Sequence, residues 1–125
     1  MTAGYICCFS CDEHPGLYKI VITTRTPTLI LLEANKHNVW ILNPVHYSIM
    51  FAKQVSYPKL KIQKIYKLLN AICDDGQDHN GFYKVNIKVI QNIFDMIHGT
   101  NWTTQDDNKP IANDNVENDH VVITI

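Results

Sequence analysis

The chain has 125 residues, 46% of them hydrophobic and 18% charged, a length and balance that suit one globular domain and exclude wholesale disorder. The net charge of −1 hides a division: residues 1–100 carry ten Lys and Arg against seven Asp and Glu, a net of +3, whereas residues 101–125 carry one Lys against five acids, a net of −4. The body is therefore mildly basic and the tail acidic, which leaves room for a polyanion-facing surface that the total conceals.

Residues 4–10, Gly-Tyr-Ile-Cys-Cys-Phe-Ser, are rich in β-formers and read as a strand. Pro15-Gly16 punctuates a turn, and Leu17 to Thr24 resume a β-rich run, so the two segments predict an antiparallel hairpin. Thr26-Pro27 has the chemistry of a helix start, with Thr at the N-cap and Pro at the first helical position, and the helix runs to about Asn35. Asn43-Pro44 marks a turn before a third strand over Tyr47 to Val55.

Pro58 opens a longer helix to about Cys73. Ile62, Ile65, Leu68, Leu69 and Ile72 recur at helical spacing and are expected to face inward, with Lys61, Lys64 and Lys67 on a basic outer face. After a polar loop, Phe82-Tyr83-Lys84-Val85 reads as a short strand and Asn86 as an N-cap. The last helix turns Ile90, Ile93, Phe94 and Ile97 inward and is expected to end at Gly99. Residues 101–120 are polar and acidic and are expected not to pack. Val121 to Ile125 are abruptly apolar and β-prone, suited to a return to a sheet edge or to docking on a partner.

No run approaches the ~18 apolar residues of a membrane span, and no basic segment precedes an apolar run at the N-terminus, so neither membrane nor leader is expected. With four cysteines, two of them adjacent, the expectation is an intracellular, reducing compartment.

The order of short motifs is more informative than any one of them. Gly4-Tyr5-Ile6, then Pro15-Gly16-Leu17-Tyr18-Lys19-Ile20, then Thr23-Thr24-Arg25-Thr26-Pro27 resembles the phage and large-DNA-virus branch of the GIY-YIG nuclease superfamily, the T5orf172 domains. The resemblance covers roughly residues 4–98. It implies an α+β fold, a small three-stranded antiparallel sheet flanked by helices, over residues 1–100, followed by the tail. It also implies phosphodiester cleavage by a tyrosine, an arginine and a glutamate that holds a divalent metal. The metal activates water or neutralises the leaving oxygen, and the arginine clamps phosphate. On this sequence the tyrosine slot of the first motif falls on Cys7 and the glycine slot of the second on Val21. The arginine slot of the first helix falls on Ile30, and the glutamate slot on Ile62 or Gln63.

Two of these losses are independent of alignment. Arg25 is the sole arginine of the chain, and no Asp or Glu lies between Glu33 and Asp74. The expectation is a degenerate nuclease that binds rather than cuts, with no cofactor. Tyr5, Tyr18, Lys19, Arg25, Glu33, Lys61, Lys64, Lys67 and Asn80 are its candidate cleft and phosphate-binding residues.

Each has a plainer reading: Arg25 as a solvated turn residue, the lysines as the wet side of an amphipathic helix, Asn80 as turn chemistry. Cys8-x-x-Cys11 with His14 falls short of the four ligands of a structural zinc, and Asp74-Asp75-Gly76-Gln77-Asp78 lacks a calcium loop's spacing, so no metal is expected. The alternative is a working nuclease with relocated groups, using Mg²⁺ or Mn²⁺ with Arg25 as clamp and Glu33, Asp74 or Asp75 as metal ligand. The partner implied is nucleic-acid backbone or a protein, with a homodimer through the tail as a third reading. A chain rich in Asn, Ile and Lys also suits an AT-rich, viral genome.

Overall fold

The computed structural model describes residues 3–37, 46–73, 76–77, 81–103 and 122–123. They form an α+β fold with strands β1 (Ala3–Cys11), β2 (Leu17–Thr23), β3 (Tyr47–Ser56), β4 (Phe82–Lys84), β5 (Thr100–Asn101) and β6 (Val122–Ile123). The helices are α1 (Pro27–His37), α2 (Pro58–Ile72) and α3 (Ile87–Asp95). The sheet runs in the order β4-β2-β1-β3-β5, all neighbours antiparallel, and β6 pairs with β2 beyond the end of β4. The expected three strands are therefore its centre, and β4, β5 and β6 extend its margins.

The hairpin registers Tyr5 against Thr23 and Ser10 against Tyr18. Gly16 holds the turn at φ 90°, a backbone state that side chains disfavour. Against β3, β1 shifts register between Cys8 and Phe9, so Met50 is an extra residue that bulges outward.

Because strand side chains alternate, the central sheet has two buried faces, each covered by helix. On one face Ile6, Cys8, Ile20 and Ile22 pack under α2 and α3, meeting Ile62, Ile65, Leu69, Ile90, Ile93 and Phe94. On the other, Cys7, Phe9 and Val21 pack under α1, meeting Ile30 and Ala34. The adjacent cysteines Cys7 and Cys8 thus serve opposite cores, and all four cysteines are buried and outside any disulfide.

The helix starts follow local chemistry. Thr26 Oγ1 accepts from the Leu29 amide at 3.4 Å, and the Asn86 side chain accepts from the Lys88 amide at 2.8 Å. Asn35 fastens α1 to β3, its side chain accepting from the Tyr47 amide at 2.7 Å and donating to the Tyr47 carbonyl at 3.1 Å. Lys53, buried on β3, donates from Nζ to the Phe94 carbonyl at 2.7 Å, placing a cation at the negative end of α3.

Two expectations fail. Leu68 and Ile72 do not face inward: they are 44% and 50% exposed, because Ile62, Ile65 and Leu69 already fill the contact with the sheet. Gly99 is not the C-cap of α3, which ends at Asp95 with Met96 as its cap. Gly99 instead lets the chain turn onto the edge of β3, where an added Cβ would run into the Gln54 carbonyl oxygen and lie 2.8 Å from Val55 Cγ1. Gly99→Ala is therefore expected to pull β5 away at a cost of about 1–3 kcal/mol. The Trp102 amide, which donates to the Ala52 carbonyl at 3.0 Å, reads this directly. Its hydrogen exchange should accelerate, and an unchanged rate would show that the edge accommodates the methyl.

Candidate functional site

Three of the four positions that the resemblance assigns to catalytic groups meet beneath α1. The Thr26-Pro27 start orients α1 so that Ile30 and Ala34, one turn apart, face the sheet, where β1 presents Cys7 and β2 presents Val21. Cys7 and Val21 are 0% exposed and Ile30 is 2% exposed. Water, phosphate and metal have no access to these side chains, and two of the three carry no polar atom. The fourth position lies across the sheet: Gln63 is exposed on α2, and Ile62 beside it is buried in the opposite core.

Arg25 and Glu33 lie on the α1 side. The Arg25 amide donates to Thr23 Oγ1 at 2.9 Å, which turns the chain back along the helix. Its Nη1 then donates to Glu33 Oε2 at 2.6 Å. With side chains 19% and 42% exposed, the pair is partly screened, and a phosphate at this arginine would compete with the carboxylate already present. Arg25 Nε is buried without a hydrogen-bond partner among the described residues, so the guanidinium is positioned by one edge.

The remaining candidates do not gather into one cleft. Tyr5 packs against the α1-side core and Tyr18 against the opposite one. Lys19 is buried with its ammonium 5.5 Å from the centroid of the Phe82 ring. Lys64 and Lys67 are exposed on α2, and the Lys61 ammonium donates to the Ser56 carbonyl at 2.5 Å. Asn80, Asp74 and Asp75 lie outside the described residues. Among the described residues, no group of three His, Cys, Asp or Glu side chains could hold a metal ion, and no helix is long and apolar enough to cross a membrane.

A different feature occupies the outer side of α2. A groove of about 250 Å³ opens between α2 and the end of α3, with Ile65, Leu68, Ile93 and Met96 as apolar lining and Lys64 and His98 among its polar residues. No family model, curated protein or solved structure matches the chain. Helical periodicity groups Leu68 with the buried stripe of α2 and so does not reveal the groove. The available signal is slight: Leu68 and Ile72, four residues apart, stand off to one side of Ile62, Ile65 and Leu69 on the helix.

Proposed function

We propose that the chain is a non-catalytic binding module on a GIY-YIG-like scaffold, with its working surface on the outer side of α2 and α3. The observation that carries this reading is the joint burial of Cys7, Val21 and Ile30 at the positions where the resemblance implies catalytic groups. Three side chains that have become one apolar contact cannot bind metal, activate water or offset charge on a phosphate. The pairing of the sole arginine with Glu33 points the same way, since the clamp of a relocated nuclease and one of its three candidate metal ligands neutralise each other. The chain works on this reading in a reducing compartment, where its thiols stay reduced.

Cleavage of supercoiled plasmid and of labelled oligonucleotides in Mg²⁺ or Mn²⁺ tests it. The wild type, Arg25→Ala and Glu33→Gln should be equally inactive, with no nicking above a metal-free control. Metal-dependent cleavage that disappears in either variant would sink the proposal and install the nuclease in its place.

A further inference from the structure

We infer that the groove between α2 and α3 docks an acidic amphipathic segment of a protein partner; this rests on the binding-module reading and names its partner class. The first argument is apolar. A surface helix that serves only its own domain shows polar residues outward, yet α2 exposes Leu60 at 61%, Leu68 at 44% and Ile72 at 50%, and the turn after α3 adds Met96 at 72%. Of these, Leu68 and Met96 line the concavity itself, and exposed apolar side chains gathered at a groove mark an interaction site. A space of about 250 Å³ admits a bulky side chain but is smaller than the pockets, roughly 300–1,000 Å³, that enclose drug-sized ligands. Unbranched Met96 can adapt to whatever enters.

The second argument is charge. α2 carries Lys59, Lys61, Lys64 and Lys67 and no acid, while α3 carries Lys88 and a single carboxylate, Asp95, with His98 just beyond. An occupant with apolar residues on one side and carboxylates flanking them satisfies both features at once, which is the geometry of a helix laid in a groove. A second copy of this face would set lysine against lysine. Nucleic acid fits less well, because single strands are held by stacking on aromatic rings, and the aromatic residue within α2, Tyr66, is turned inward to donate to the Ile20 carbonyl at 2.8 Å.

The test is selection of random 12-residue peptides displayed on phage against the full chain, followed by fluorescence anisotropy with the enriched peptides made synthetically. Enriched sequences should combine Leu, Ile, Phe or Trp with Asp or Glu. Leu68→Glu and Lys64→Glu, both at exposed positions and checked for unchanged melting, should each weaken binding at least tenfold. Raising the salt should weaken it further. The inference is overturned by an empty selection, by enrichment of basic or uncharged peptides, or by affinities indifferent to both variants. It is equally overturned if 20-nucleotide single- or double-stranded DNA binds in a manner that Leu68→Glu abolishes, or if the chain is a dimer that Leu68→Glu dissociates. These outcomes are separate from cleavage, so an inactive protein that binds no acidic peptide refutes the groove and leaves the non-catalytic reading standing.

Discussion

Ile30→Arg is expected to unfold the domain instead of equipping it to cut. Ile30 is 2% exposed and is enclosed by Cys7, Val21 and Ala34 in the α1-side core. A guanidinium there would bring five N–H donors and a full charge into a site built from aliphatic carbon and thiol. An unpaired buried charge costs several kcal/mol, against a total stability of about 5–15 kcal/mol for a domain of this kind. Glu33, three residues along the helix, is the nearest carboxylate in sequence, but it already accepts from Arg25 at 2.6 Å. Ile30→Met nearly conserves volume and should cost less than about 1.5 kcal/mol. Urea unfolding followed by circular dichroism separates the cases. If Ile30→Arg kept a wild-type midpoint, the α1 contact would be loose enough to open into a cleft, and the claim that the site is sealed would be wrong.

What could be read from the chain was whatever short-range chemistry fixes. Thr26-Pro27 and Asn86 start helices because their side chains or rings act within one turn, and the hairpin follows from Pro15-Gly16 between two β-rich runs. Two features stand on the chain alone, whatever the alignment: Arg25 is the sole arginine, and no Asp or Glu lies between Glu33 and Asp74. The features missed depend on distant segments. Gly99 resembled a helix cap and is instead a close approach to Gln54, forty-five positions earlier in the chain. Leu68 and Ile72 matched the helical period, yet the sheet had room only for Ile62, Ile65 and Leu69. Likewise Arg25 and Glu33 each looked available alone, and only the fold of the chain back along α1 sets one against the other. Periodicity ranks which residues are apolar; it does not say how wide the surface receiving them is.

Above pH 10 the domain is expected to lose stability steeply, because Tyr83 is buried and Tyr66 half-buried on the α2 side. Tyr83 is fully buried, and burial, with Cys73 nearby, pushes its phenol up to about 12. Burial also raises Tyr66, reinforced by Tyr83, whose ring centroid lies 6.1 Å away, and opposed by a hydrogen bond with Gln77. In the unfolded chain both titrate near 10. Between about pH 10 and 12 the unfolded state therefore releases protons that the native state retains, and stability, fully present below 10, falls as pH rises. At about 1.4 kcal/mol per unit, Tyr83 alone removes roughly 2–3 kcal/mol by pH 12, and Tyr66 adds to this. The two phenylalanine variants should differ at neutral pH. Tyr83 Oη has no hydrogen-bond partner among the described residues, so Tyr83→Phe should leave stability unchanged or raise it by about 1 kcal/mol. Tyr66→Phe forfeits the 2.8 Å bond to the Ile20 carbonyl and should cost about 1 kcal/mol. Each should flatten the alkaline limb, measured as urea midpoints from pH 7 to 12. If Tyr83→Phe fell off as steeply as the wild type, the alkaline transition would belong to other groups and the burial of this phenol would not govern it.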